Sequence, residues 1–332
     1  MLSKRTLLRS IALGAWVACA ASGTASSGTA SAQAFPTKPI RLVVGFAPGG
    51  PADVMARLIG QRVSAILGQS VVIDNRPGAG GTIGARAVAE SDPDGHTLLL
   101  GNTSTLVISP LIYKNVGYDA VKGFAPIALL GTTSNLLIVN PALPAKSVQE
   151  LIALARAKPG TLNYSSAGIG TPPHLIGEMF KQRLGLTVVH VPYKGGGPSV
   201  QAVITGETQF SFENPASSLP LVQAGNVRAL AVTSETRSSQ TPDLPTMIEA
   251  GVPDFTSVSF TAVAAPGGTP AMIVNRLNAA INESLQSAEV GATLVKLSVE
   301  AKTVSPEAFA AFLARERDKW TAVVRKAGVQ LE

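Results

Sequence analysis

Residues 40–53 read I-R-L-V-V-G-F-A-P-G-G-P-A-D. The first seven are mostly apolar and rich in β-branched side chains, which predicts a buried strand over 40–46. A loop of alanine, proline and glycine follows over 47–52. The apolar spacing of 53–67 then predicts a helix that ends at Gly68. This strand–loop–helix unit indicates how the rest of the chain is built.

The same unit recurs along the chain. Further strands are predicted over 70–74, 96–100, 136–140, 162–167, 187–191, 208–213, 228–233 and 256–265. Further helices are predicted over 82–90, 147–158, 174–184, 198–205, 216–223, 269–286 and 306–327. Strands that alternate with helices predict an α/β architecture with mostly parallel sheets. Ligands of such sheets bind beyond the carboxyl ends of the strands.

Two glycine-rich loops, 48–53 and 168–174, each lead into a predicted helix. Such a loop exposes backbone N–H groups at the positive end of the helix dipole, which suits a small anion without any cationic side chain. Taken singly, each loop is typical of a tight α/β turn. Two such loops in corresponding positions, with proline at the helix starts, favour an anion site.

Nucleotide and catalytic motifs are missing from these loops. The segment 45–50 has phosphate-loop spacing, but Pro51 and Ala52 stand where lysine and serine or threonine are required. No G-x-S-x-G elbow is present, so the usual hydrolase signal is absent. The three histidines show no metal-ligand spacing. We therefore expect no catalytic residue, no cofactor and no metal.

The N-terminus predicts export. Lys4, Arg5 and Arg9 precede an apolar run over 11–21, and Ala32-Gln33-Ala34 has the small-x-small pattern of a cleavage site. Residues 1–34 are therefore interpreted as a signal peptide that is cleaved after Ala34. The apolar run is too short for a membrane span, which needs about 20 residues.

The predicted mature chain contains no cysteine, because the single Cys19 lies in the signal peptide. An exported protein without disulfides fits the periplasm. The net charge is +6, and loss of the three signal-peptide cations leaves +3. That mild charge, without a cluster of basic and aromatic residues, excludes nucleic acid as an expected partner. The length of 332 residues is enough for two domains.

Several motifs of this chain resemble the Bug family, the TctC-like periplasmic solute receptors of tripartite tricarboxylate transporters. The resemblance covers residues 36–330. The matching segments are 39–53 (P-I-R-L-V-V-G-F-A-P-G-G-P-A-D), 75–85 (N-R-P-G-A-G-G-T-I-G-A), 94–101 (D-G-H-T-L-L-L-G), 162–175 (L-N-Y-S-S-A-G-I-G-T-P-P-H-L), 190–195 (H-V-P-Y-K-G), 228–234 (R-A-L-A-V-T-S) and 244–253 (L-P-T-M-I-E-A-G-V-P).

The resemblance implies a two-lobed Venus-flytrap fold, the type II periplasmic binding protein fold, with the ligand between the lobes. Lobe 1 would comprise 35–137 plus 257–332, and lobe 2 would comprise 138–256. The ligand would be a small carboxylate, delivered by a monomer to separately encoded membrane transporter subunits. The implied ligand-binding residues are Phe46, Ala47, Pro48, Gly49, Gly50, Pro51, Asp53, Thr103, Ser104, Ser165, Ser166, Gly168, Gly170, Thr171, His174, Tyr193 and Asn214.

The chain also departs from the family pattern at two places. The family often shows F-D-N-L-P-S where this chain has F-E-N-P-A-S over 212–217, and often a W-F-G run near 259–261. The first change alters an expected cleft wall, so the identity of the ligand cannot be inferred from the ligands of relatives. Di- and tricarboxylates and aromatic carboxylates such as terephthalate stay open, the last because of Phe46.

Two other functions stay open from the sequence. The closed protein could signal to a membrane sensor instead of supplying a transporter. An α/β hydrolase would need a nucleophile, for which Ser165 or Ser166 is the candidate, and a base that the sequence does not identify.

Overall fold

A computed structural model describes residues 35–331 of the chain. The strands are β1 Ile40–Val44, β2 Val71–Asn75, β3 Thr97–Asn102, β4 Phe124–Ser134, β5 Leu136–Val139, β6 Asn163–Ser166, β7 Val189–Pro192, β8 Phe210–Glu213, β9 Arg228–Val232, β10 Val258–Pro266 and β11 Glu300–Ala301. The helices are α1 Pro51–Leu67, α2 Thr82–Ala89, α3 Ser109–Ile112, α4 Val148–Ala157, α5 Pro172–Leu184, α6 Gly196–Thr205, α7 Pro215–Gln223, α8 Ala271–Leu285, α9 Ala288–Lys296 and α10 Pro306–Ala327. The predicted signal peptide lies outside the described residues.

The first sheet has six strands in the order β11-β4-β10-β3-β1-β2. Strand β1 pairs in parallel with β2 and β3, while β10 runs antiparallel to β3 and β4. Strand β1 is buried along most of its length, as its apolar sequence predicts. Helix α1 begins with Pro51 and ends at Gly68, whose φ of 69° is the left-handed conformation that glycine allows.

The second sheet has five strands in the order β7-β6-β8-β5-β9. Strand β6 pairs in parallel with β7 and β8, and β5 runs antiparallel to β8 and β9. Its core is aromatic, because Phe180 on α5 packs edge-to-face on Phe210, Phe212 and Phe255. Two separate sheets with their helices confirm the predicted two-lobed α/β architecture.

The prediction of mostly parallel sheets is wrong. Among the described strands, four pairings are parallel and five are antiparallel. The reason is that the chain passes between the lobes along strands, not through helical crossovers. Strand β4 leaves the first sheet at the edge where β10 returns to it, so the two run in opposite directions.

The two passages between the sheets are hydrogen-bonded to each other. Only Asn135 separates β4 from β5, and the return passage runs from Thr233 to Ser257. The Asn135 N–H donates to Thr233 Oγ1 at 2.8 Å, and the Ser257 N–H donates to Thr233 O at 2.7 Å. A few paired residues at an element boundary are where a hinge between lobes is found.

Helix α10 joins the C-terminus to both lobes. It buries an apolar face that includes Phe309, Leu313 and Trp320. The Gln182 side chain of α5 donates to Val323 O at 3.2 Å, which ties the helix to lobe 2. Within residues 35–331, no helix is long and apolar enough to span a membrane.

Candidate functional site

A cavity of about 540 Å³ opens at one edge of the first sheet. That edge holds the carboxyl ends of β1, β3 and β4 and the amino end of β10. The residues that line the cavity are Phe46, Ala47, Pro48, Gly50, Pro51, Ala52, Met55, Asn102, Thr103, Ser104, Thr133, Pro172, Asn214, Ser259, Phe260, Thr261, Leu297 and Val299. Its position is the one expected for a ligand of an α/β sheet.

Glycines hold the loop after β1 in place. A Cβ at Gly45 would lie 2.7 Å from the backbone of Gly81, and a Cβ at Gly81 would lie 3.2 Å from the Phe46 ring. The glycine-rich loop 75–81 can therefore approach the end of β1 closely, and Phe46 rests on it while it lines the cavity. Close backbone approach is the physical use of these glycines.

Asp53, in the first turn of α1, holds the loop after β1 in place. Its carboxylate accepts the Gly49 N–H at 2.9 Å, the Arg57 Nε at 2.9 Å and the Asn75 Nδ2 at 3.0 Å. Arg57 and these N–H donors lower the pKa of Asp53 to about 2. Asp53 is buried and does not line the cavity. It therefore positions the loop and stays ionised at physiological pH.

The start of α1 offers backbone donors to the cavity. Gly50 is the N-cap and supplies no side-chain cap, and Pro51 at the first helical position has no N–H. The N–H groups of Ala52 and Asp53 have no intrahelical acceptor, as in any first turn. Gly50, Pro51 and Ala52 all line the cavity. An anion placed there would meet unused N–H groups and the positive end of the helix dipole.

The loop after β3 provides hydroxyl and amide groups. It turns at once into a π-helical turn, Ser104–Ile108, a conformation that is frequent at functional sites. Asn102 and Thr105 bond to each other through backbone and side chain, which holds the turn rigid. Thr103 accepts the Phe260 N–H at 2.8 Å, so its hydroxyl hydrogen is left to donate elsewhere.

Two residues of lobe 2, Pro172 and Asn214, line the cavity. Asn214 is the N-cap of α7, and its side-chain oxygen accepts the Ala216 N–H at 2.9 Å. Because that oxygen is engaged, the side-chain NH₂ group is the part free to donate to a ligand. Among the described residues that line the cavity, none carries a charged side chain.

Comparison with known proteins agrees with this geometry. The family model for the tripartite tricarboxylate transporter family receptor, TctC, matches residues 55–329. The chain belongs to this family. Its members are periplasmic solute-binding receptors, which confirms the family resemblance of the sequence.

Three relatives cover nearly the whole chain. The protein BugT of Bordetella pertussis is 38% identical over 303 residues, which are 91% of this chain and 93% of BugT. The R. palustris protein Rpa4515, solved with adipate, is 38% identical with a TM-score of 0.74, covering 89% of this chain and 99% of that one. MatC (Rpa3494) of Rhodopseudomonas palustris, solved with bound malate, is 33% identical with a TM-score of 0.71, covering 87% and 100%.

About half of the residues predicted from the family resemblance line the cavity. Those that do are Phe46, Ala47, Pro48, Gly50, Pro51, Thr103, Ser104 and Asn214. Those that lie outside it are Gly49, Asp53, Ser165, Ser166, Gly168, Gly170, Thr171, His174 and Tyr193. Nearly all of the first group belong to lobe 1, and most of the second group belong to lobe 2.

The second glycine-rich loop lacks some of the donors that the sequence suggested. Pro172 and Pro173 occupy the first two positions of α5, so neither supplies an N–H. The Gly170 N–H donates instead to His174 Nδ1 at 3.0 Å, and the Thr171 hydroxyl donates to Gly168 O at 2.6 Å. These internal bonds make 168–174 a pre-shaped loop.

His174 supports this loop from beneath. Its ring stacks on His190 at 4.0 Å between centroids, and burial lowers the pKa of both histidines. We expect His174→Ala to destabilise the fold by about 1–3 kcal/mol, because the Gly170 N–H loses its buried acceptor. Denaturant unfolding measures this loss. Unchanged stability with weaker ligand binding would contradict it and would place the imidazole on the ligand instead.

Ser166 does not have the surroundings of a hydrolase nucleophile. Its Oγ lies 2.7 Å from His190 Nε2, which is the distance of a nucleophile–base pair. However, Ser166 is fully buried, accepts the Gly168 N–H and does not line the cavity. A substrate carbonyl has no access to it, so the pair holds the loop.

Glu213, which stands where the family often has aspartate, places a buried carboxyl behind Asn214 of the cavity wall. Glu213 precedes Asn214 and is 1% exposed. Its carboxyl accepts hydrogen bonds from the hydroxyls of Ser199 and Ser211. Burial raises the pKa of Glu213 to about 7, against the bonds from the two serines, which lower it.

Stability should therefore depend on pH through Glu213. Because the folded-state pKa is about 7 and the unfolded value is 4.5, the stabilisation is complete below pH 4.5 and is lost as the pH rises through 7. We expect Glu213→Gln to remove this fall, which is on the order of 3 kcal/mol. Unfolding of both proteins at pH 5 and pH 8 measures it. Equal changes in both would contradict the assignment.

Some cavity residues had no signal in the sequence, and others had one that was not interpreted. Ser259, Phe260 and Thr261 occupy the place where the family often shows W-F-G. The sequence showed this difference but did not show that the three residues line the cavity. Leu297 and Val299 belong to no motif and follow a helix that the sequence pattern did not predict. No group of three potential metal ligands lies close together in residues 35–331.

Proposed function

We propose that this protein is a periplasmic receptor that binds a small carboxylate in the cavity between its lobes and catalyses no reaction. The observation that carries the proposal is the uncapped start of α1, where Gly50, Pro51 and Ala52 face a cavity without charged side chains. Backbone N–H groups with a helix dipole suit a carboxylate in such a place. The adipate and malate bound to two relatives support the same ligand class.

The ligand would be secured by closure of lobe 2. The lobes are taken as 35–137 plus 257–332 and 138–256, and they would rotate about the bonded pair Asn135 and Thr233. Closure would bring more of the pre-shaped loop 168–174 towards α1, since Pro172 is the one residue of this loop that lines the cavity in the described structure. A ligand drives such a change only through tighter binding to the closed form.

Delivery to a membrane transporter is supported by the family to which the chain belongs. The closed form of the monomer would be recognised by membrane subunits that are encoded separately. The family is defined as the receptor of a tripartite tricarboxylate transporter, which favours this partner. Export to the periplasm would require the signal peptide and cleavage after Ala34.

A thermal-shift screen tests the binding function. The purified protein is heated with citrate, succinate, adipate, malate, aspartate, glutamate, nicotinate, benzoate, phthalate or terephthalate. A ligand at about 100 times its dissociation constant should stabilise the fold by about 2.7 kcal/mol. A shift with at least one carboxylate, and none with the corresponding amide, is expected. Equal shifts with acid and amide would contradict the anion site.

A further inference from the structure

The cavity has two chemically different ends, because the strands that form its floor lie in a fixed order. From β1 the order runs through β3, β10 and β4 to β11. The α1 donors lie at the β1 end. Val299 lies at the other end, immediately before β11, whose Glu300 pairs with Thr132. Strands β3, β10 and β4 lie between β1 and β11 in this sheet.

Apolar side chains are concentrated at the β11 end, where Leu297 and Val299 lie near Phe260 of β10, with the hydroxyl residues Thr133, Ser259 and Thr261 beside them. Met55 of α1, one helical turn after Ala52, continues this apolar surface towards the start of α1. Phe260 pairs with Thr132, the same residue that pairs with Glu300, so Val299 and Phe260 lie on either side of β4. We define Met55, Phe260, Leu297 and Val299 as the apolar wall.

The turn that presents Leu297 and Val299 has a strained backbone. Ser298 lies between them with a φ of 57°, the left-handed conformation that non-glycine residues rarely adopt. The Ser298 N–H donates to Val295 O and the Val299 N–H donates to Leu294 O, the pattern of a helix end that usually carries glycine. Strained residues of this kind cluster at functional sites.

We propose that the apolar wall selects carboxylates that carry an aromatic ring or an alkyl chain, and that Leu297 and Val299 are its specificity-determining residues. This inference rests on the proposed function, since the carboxylate itself would bind at the start of α1. When the ring or chain of such a ligand packs against the apolar wall, apolar surface is removed from water and binding is stabilised. A hydroxylated tricarboxylate would instead place charges against uncharged side chains, and desolvating charges without a partner is costly.

The test uses Leu297→Asn and titration calorimetry with benzoate, octanoate, succinate and citrate. Leu297 is only partly buried, so the change is compatible with folding. Wild-type protein should bind benzoate or octanoate more tightly than succinate and citrate. In the variant, affinity for that apolar acid should fall about tenfold. Affinity for succinate should change by less than about threefold, because succinate has little apolar body to lose.

Two further variants make the result specific. Val295→Asn is the matched control, because Val295 lies two residues before Leu297 at the end of α9, is 61% exposed and does not line the cavity. It should leave all four affinities unchanged. Val299→Thr, nearly equal in shape, should repeat the loss with the apolar acid.

The outcomes separate the two proposals. Preference for citrate or succinate in the wild type, or an equal change with every acid in Leu297→Asn, would overturn the apolar wall and leave the carboxylate receptor intact. Binding of none of these acids, together with no shift across the wider screen, would overturn the receptor and the wall with it.

Discussion

Replacement of Gly50 by leucine should abolish carboxylate binding and leave the protein folded. Gly50 has a φ of −79° and a ψ of 171°, an extended conformation that leucine adopts without strain. A Cβ at this position would have only Ala47 O nearby, at 3.7 Å. The added side chain would project into the cavity that Gly50 lines and would cover the α1 donors. We expect at least about a hundredfold loss of affinity, which is more than the loss of one hydrogen bond.

Gly197→Leu is the control for this prediction. A Cβ at Gly197 would have open space for 4 Å around it, and Gly197 has no positive φ and lies on α6 away from the cavity. Gly170 is a poorer probe, because its φ is 77° and a Cβ there would lie 2.5 Å from Ile112 Cδ1. Calorimetry measures the affinity, and thermal unfolding checks the fold. A folded Gly50→Leu protein with wild-type affinity would show that the carboxylate does not bind at the start of α1.

Asp53→Asn should weaken binding without direct contact between Asp53 and the ligand. The amide would present a donor where the carboxylate now accepts N–H groups from Gly49 and Arg57. Since charge-assisted bonds are the stronger ones, the loop should lose its fixed position and affinity should fall about tenfold to a hundredfold. Asp119→Asn is the control, because Asp119 accepts the N–H groups of Val121 and Lys122 at an exposed turn.

The pH dependence separates the role of Asp53 from that of Glu213. The folded-state pKa of Asp53, about 2, lies below its ordinary value of 3.8. This carboxylate therefore stabilises the fold above pH 3.8, and that stabilisation is lost as the pH falls towards 2. Binding that depended on Asp53 titration between about pH 6 and 8 would contradict this assignment.

Local patterns predicted β1 and α1 well. The β-branched run before Phe46 and the helical spacing up to Gly68 describe β1 and α1 within a few residues, because burial and capping act over short distances. Strands β4 and β11 and helices α3 and α9 were not predicted. The extended conformation of β4 depends on its pairing with β10 and β11, which are far away in the chain.

The candidate site was predicted where backbone chemistry decides it and missed where tertiary packing does. The role of the glycines and the proline at the start of α1 can be predicted from the sequence, because it depends on the backbone of these residue types. The apolar wall does not, because Leu297 reaches the cavity only through the turn at Ser298. The loop 168–174 was recognised by its composition, but how much of it reaches the cavity depends on the relative position of the lobes.

A crystal structure with the tightest carboxylate from the screen would locate the bound anion. We expect its carboxylate oxygens to lie about 2.7–3.2 Å from backbone N–H groups at the start of α1, between the lobes. Closure of lobe 2 onto the ligand should bring further residues of loop 168–174, beyond Pro172, to the same cavity. A carboxylate bound elsewhere, or held by lysine or arginine side chains without contact to α1, would contradict a backbone anion site at this helix.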